Sequence, residues 1–169
     1  MKRLAFAGVA FALALSAQAQ QPNPMDNVPD KMPNDIPYGT PVSLATAQHA
    51  LNAALAESTK RGWKLNVAVV DSGANLVAFA RQDGAQLGSI QIAEHKARAA
   101  AKYRRETKAF EAGVQAGNNY LLTLDDVIAS RGGILLMDGG KIVGAIGCSG
   151  GTGSQDEVVC KAGASAVNK

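Results

Sequence analysis

The stretch Gly139–Val159, GGKIVGAIGCSGGTGSQDEVV, decides the fold, because it packs a strand, a glycine loop and a helix start into one short run. Ile142, Val143, Ala145 and Ile146 form an apolar run with no polar face, the composition of a strand covered on both sides. The run ends at Gly147, Gly150, Gly151 and Gly153, where the backbone is free to turn through positive φ or to approach another group closely. Ser154 followed three residues later by Glu157 then reads as a capping box that opens a helix. A glycine loop feeding a helix N-terminus offers amides and a positive dipole end to an anionic ligand group, with Gly150 and Gly151 the candidate contacts. Neither common phosphate motif fits. The loop ends Gly153-Ser154-Gln155 and so lacks the Lys of a phosphate loop, and a dinucleotide fingerprint would put Asp156 against the pyrophosphate. The other reading is a tight strand-to-helix connection whose own cap uses some of the amides.

Outward from this stretch, Ile134–Met137 and Lys141–Ile146 flank Asp138-Gly139-Gly140 as a hairpin with a tight turn. Trp63–Val70 and Leu76–Arg81 flank the turn residues Asp71-Ser72-Gly73-Ala74-Asn75 as an earlier one. Ser43 caps a first helix with Leu44, Ala47, Leu51, Ala54 and Leu55 on one face. His49 lies about 140° from Leu44 at roughly 100° per residue and is expected in solvent. Two hairpins separated by helices predict an α/β fold with a mostly antiparallel sheet and helices packed against it.

The helix between the hairpins, Ser89–Tyr103, has two faces. Ile90, Ala93, Ala97, Ala100 and Ala101 share one, and so much alanine implies close approach to whatever it covers. His95, Arg98, Lys102 and Arg105 recur on the other at intervals of three, four and three, with Arg104 and Lys108 nearby and Tyr103 as an aromatic neighbour. A charged face of this kind is either solvated or a cationic rim for a ligand carrying carboxylates. In the second case His95 is placed to bind a metal centre inside that ligand.

From Lys108 to Ser130 the chain reads as a short helix around Phe110 and Val114, then a loop through Gly113, Gly117, Asn118 and Asn119, then an apolar return. Asp126 is expected to cap or start a short helix, because adjacent Asp125 and Asp126 point apart on a helix and make a poor acid–base pair. With two histidines, one expected in solvent, no Ser, His and Asp set suggests itself, and no catalytic residue is assigned.

Lys2 and Arg3, the apolar run Leu4–Leu15 and Ala17-Gln18-Ala19 have the form of a secretory signal peptide over residues 1–19, cleaved after Ala19. The run is short of the roughly 20 residues of a membrane span, so a soluble mature chain, periplasmic or secreted, is expected. The net charge of +3 includes Lys2 and Arg3; without them fifteen basic face fourteen acidic residues, +1, which with export argues against a nucleic-acid partner. All six prolines, Pro22 to Pro41, fall in residues 20–41, read as an extended arm anchored by Ile36, Pro37 and Tyr38 and free to lie along another surface such as a neighbouring subunit. Residues 42–169 form the domain. Cys148 and Cys160 sit on the key strand and the helix after it, as a disulfide in an oxidising compartment or as two small buried hydrophobes.

Three segments in order carry a family resemblance: Leu65 to Val77, with its Val70-Asp71-Ser72-Gly73-Ala74-Asn75 turn; Gly88-Ser89-Ile90 through Lys96-Ala97-Arg98; and Gly144-Ala145-Ile146-Gly147 through Gln155-Asp156-Glu157. This order resembles the GlcG/HbpS-like haem-binding family, and is similar to the C-terminal domain of PduO-type corrinoid proteins, over about residues 36–167, Ile36-Pro37-Tyr38-Gly39 included. The resemblance implies a profilin-like three-layer α/β/α domain, a homo-oligomer, and haem binding outside the cytoplasm in some members. Arg105-Glu106-Thr107 stands where the family commonly has Arg-Pro-Thr, and the haem contacts expected on this reading are Arg98, Tyr103, Arg104, Arg105 and Thr107, while His95 as axial ligand is read from the basic face of the helix alone. No family ligand role transfers to His95 itself. The alternatives are a binding module for another small acid or corrinoid serving an exported oxidoreductase or sensor, and an enzyme acting on a small oxo-acid through the amides of Gly150 to Ser154.

Overall fold

A computed structural model describes residues 28–169; the predicted signal peptide with its cleavage point, and Pro22 and Pro24, lie outside the described residues. The elements are α1 (Leu44–Lys60), β1 (Asn66–Asp71), β2 (Leu76–Arg81), α2 (Ser89–Tyr103), α3 (Lys108–Gln115), a 3-10 turn (Asn119–Thr123), β3 (Gly133–Asp138), β4 (Lys141–Ser149) and α4 (Gly153–Ser165). The strands form one antiparallel sheet in the order β2-β1-β4-β3. Among the described residues no helix is long and apolar enough to cross a membrane.

The alternation of strand side chains separates two cores. Val67, Val69, Ile134, Leu136, Ile146 and Cys148 pack with Ala47, Ala50, Leu51 and Ala54 of α1 and Val159, Cys160 and Ala164 of α4. Ala68, Val70 and Ala145 face the other way, against Ala93, Ala97, Ala100 and Ala101 of α2. The three layers are therefore those of the expected α/β/α domain. The alanine face does approach closely: a Cβ on Gly147 would lie 2.1 Å from the Ala93 carbonyl oxygen and 2.6 Å from the Ala97 amide nitrogen. Gly147 is thus a strand residue that admits a helix backbone, not a turn residue, and β4 continues through Cys148 to Ser149.

Other expectations need correction. The first strand begins at Asn66 rather than Trp63, because the Trp63 amide and carbonyl are both committed to Ser58 at the end of α1. Leu44 is 60% exposed, since as the first residue of its helix it falls outside the buried part of the stripe. Asp126 takes a left-handed φ of 62° in a turn and starts no helix. Helix α4 opens two residues earlier than read: Thr152 is its N-cap, accepting from the Gln155 amide while the Gln155 side chain returns to the Thr152 amide. The same Thr-x-x-Gln signature was present in the sequence, displaced by two from Ser-x-x-Glu.

Two tails border the sheet. The Pro37 carbonyl accepts from the Ile142 amide, and the Gly39 and Val42 amides donate to Ile142 and Val143, so the arm pairs with the start of β4, alongside the part that β1 does not reach. At the far edge the Asn168 side chain accepts from the Met137 amide and donates to the Leu135 carbonyl, masking part of β3.

Candidate functional site

The disulfide and the glycine loop come together at the end of β4. Cys148 and Cys160 are bonded, with Cα atoms 5.6 Å apart. Beside them Lys96 Nζ donates to Asp156 Oδ2 at 2.7 Å and to the Cys148 carbonyl at 3.2 Å, both side chains almost wholly buried. Asp156 also accepts from the Gly151 amide at 3.0 Å. Burial pushes the Asp156 carboxyl above its usual value, and Lys96 with the Gly151 and Gly150 amides pulls against that rise. The ion-pair distance and the added amide donor favour a carboxylate here. The loop therefore already holds an anion at its amides, supplied by its own helix: Gly151 serves Asp156, and Thr152 serves Gln155. Lys96 is the functional-looking residue that the sequence reading did not single out. Its signal was positional, since Ala93, Lys96, Ala97 and Ala100 share the buried stripe at helical spacing.

The basic run on α2 is largely answered from within the chain. Arg98 pairs with Glu94 at 3.0 Å, Lys102 with Asp126, and Arg104 with Asp35 at 3.4 Å while stacking on Tyr38, 4.7 Å from its ring centroid. The Lys102 hydrogen bond holds Asp126 below the usual carboxylate range against its partial burial, with His95 and Arg98 adding weaker attraction. His95 thus sits half-buried in a neighbourhood of mixed charge, with no hydrogen-bond or ion-pair partner among the described residues. Helix α2 stops at Tyr103, where Arg104 adopts a left-handed φ of 54°, so Arg105 leaves the stripe. Its guanidinium lies 5.5 Å from the Phe110 ring centroid, and its Nε donates to the Tyr103 carbonyl. The Tyr103 hydroxyl donates to the Asp125 carbonyl at 2.9 Å. Thr107 is fully buried; its hydroxyl accepts from the Gly133 amide at 2.9 Å and its own amide donates to the Gly133 carbonyl.

A second charge cluster joins α3, the approach to β3, and α4. Arg131 binds Glu111 through Nε at 2.8 Å, and Glu157, 7% exposed, is ringed by Lys161 at 2.6 Å, Arg131 at 3.4 Å and Lys108 at 3.5 Å. Burial raises the Glu157 carboxyl, but Lys161, Lys108 and Arg131 outweigh it and leave the value lowered.

A concavity lies elsewhere on the domain. A cleft of about 790 Å³ opens between the arm, the first turns of α1, the β3–β4 turn and the C-terminal residues. Val42, Val143 and Val167 give it apolar wall, and His49, Lys141 and Lys169 supply its basic groups. His49 is exposed, as the sequence predicts, but it faces this cleft. Its volume falls within the range of small-molecule and cofactor sites. Among the described residues no cluster of three or more His, Cys, Asp or Glu side chains is placed to hold a metal ion.

Comparison with known proteins matches residues 42–165 to the family described as haem degrading protein HbpS-like. The protein GlcG of Escherichia coli K12 is 37% identical over 108 residues, covering 64% of this chain and 81% of its own length. The crystal structure of HbpS superposes with a TM-score of 0.73 at 28% identity, covering 82% of this chain and 99% of that one. A PduOC:heme complex superposes with a TM-score of 0.70 at 24% identity over 76% of this chain and 96% of its own, a likeness of fold.

Proposed function

This chain belongs to the HbpS-like family, and from that premise we propose that it is an exported haem-binding protein. The observation that carries the reading is the extent of the match: residues 42–165 take in every helix and strand of the domain, save that the arm lies before it. The cleft supports it, being large enough for a tetrapyrrole and combining an apolar wall with cations suited to carboxylates. Export is supported by the basic start, apolar run and Ala17-Gln18-Ala19 of the sequence, and by the Cys148–Cys160 bond, which suits an oxidising compartment. Assembly into a homo-oligomer belongs to the same proposal.

Titrating the purified protein with hemin, followed by absorbance, tests the reading. A saturable one-to-one complex with a sharp Soret band is expected. Absent or unsaturable binding overturns it and leads to a screen of corrinoids and small acids. Adding a reductant under air to the complex separates two haem roles: a persistent band marks a carrier, and a decaying one marks the degradation named in the family's description. N-terminal sequencing of the exported form is expected to begin at Gln20.

A further inference from the structure

We propose that the haem site is the cleft between the arm, α1 and the β3–β4 turn, with His49 as the iron ligand and Lys141 and Lys169 as the partners of the carboxylates. This assignment rests on the haem reading above and replaces the basic face of α2 as its location.

Four observations carry it. The first is the state of the cations. Arg98, Lys102 and Arg104 on and after α2 each have a carboxylate of this chain, whereas Lys141 and Lys169 have none among the described residues. Neither lysine is held in an ion pair among the described residues, so each is open to a ligand carboxylate. Asp138 is the one acidic side chain on the wall, an exposed residue at the end of β3 that faces Lys141 across the hairpin without an ion pair to it.

The second is the ligand atom. Neutral imidazole is a common axial group, and the chain has two histidines. His49 makes no hydrogen bond or ion pair among the described residues and faces the cleft. His95 lies outside the cleft, close enough to Arg98, Lys102 and Asp126 to share their electrostatics. On α1, Ala45 precedes His49 by one turn and shares its face, and the small side chain leaves the imidazole uncrowded.

The third is the wall. Val42, Val143, Val167, Met137 and Pro41 present apolar surface from four separate segments, the pattern of a site assembled by the fold rather than of one exposed helix face. The fourth is construction. A Cβ on Gly39 would lie 3.0 Å from Lys141 Cβ and 3.3 Å from Val143 Cγ1, so the arm's glycine admits the two side chains that shape this wall.

The test uses hemin as probe on the wild type, His49→Ala, His95→Ala and a Lys141→Glu, Lys169→Glu double variant, with far-UV circular dichroism to show that each is folded. All four substituted positions lie at the surface or half-buried, clear of both cores. In His49→Ala the Soret maximum moves, any low-spin signature in the electron paramagnetic resonance spectrum is lost, and added imidazole restores both. His95→Ala keeps the wild-type spectrum. The double lysine variant keeps the Soret position but binds about tenfold or more weakly. A wild-type spectrum and affinity in His49→Ala would overturn this site while leaving the haem reading intact. Failure of the wild type to bind at all would overturn both.

Discussion

Removing one member of the Lys96–Asp156 pair leaves a charge buried against the end of β4 with no counter-ion. Lys96→Ala or Asp156→Ala is expected to cost about 3–5 kcal/mol in urea unfolding, whereas Lys96→Met with Asp156→Leu restores most of that, because an apolar pair of similar size avoids the desolvation of both charges. A loss below about 1 kcal/mol in both single variants would show that the pair is not buried together. The sequence offered Lys96 on the alanine stripe but gave no sign of its partner sixty residues on, since a lysine on a helix is ordinarily in water. Asp156 was visible as an obstacle to a phosphate ligand. The physical content of that obstacle is now plain: its carboxylate occupies the amide the ligand would have used.

The start of α4 discriminates between two caps that the sequence presents side by side. Thr152→Ala is expected to lower stability by about 1 kcal/mol, while Ser154→Ala changes it little, both read as shifts in the urea midpoint at constant slope. The reverse ranking would return the helix start to Ser154. Reduction of the Cys148–Cys160 bond is expected to cost about 2–4 kcal/mol, read as a lower melting temperature with reductant, since it closes a loop of sequence separation 12. Elements with a strong period were legible from their residues: both hairpins, α1 and α2 lie where alternation and alanine spacing put them. Ends were not, because a glycine in a strand and a glycine in a turn look alike in sequence. Gly147 admits a helix backbone in an extended strand, whereas Gly139 and Gly140, with φ of 54° and 74°, make the tight turn that was predicted. The cleft was not legible at all, for it is built from four segments that only the tertiary fold brings together.

Across the whole domain, acid sensitivity follows from the charge clusters. Glu111 is lowered by its hydrogen bond to Arg131 against its partial burial, and Glu157 and Asp126 are also lowered. Each therefore stabilises the fold fully above its unfolded value, and that contribution is lost as the pH falls through the folded one. Asp156, raised by burial, has the opposite sign and offsets part of the loss in the same acid range. The melting temperature is expected to fall as the pH drops below the ordinary glutamate value of 4.5, and Glu111→Gln should flatten that fall; an unchanged slope in the variant would remove Glu111 from the account. The sheet order has a further consequence in the dimension of time. Strand β1 ends at residue 71, and its central partner β4 begins only at residue 141, with both cysteines later still. During synthesis the β1–β2 hairpin must wait, one edge open, until nearly the whole chain exists, and closure across so long a loop is slow. The growing chain is thereby kept from locking early, and its single disulfide has no earlier thiol to mispair with.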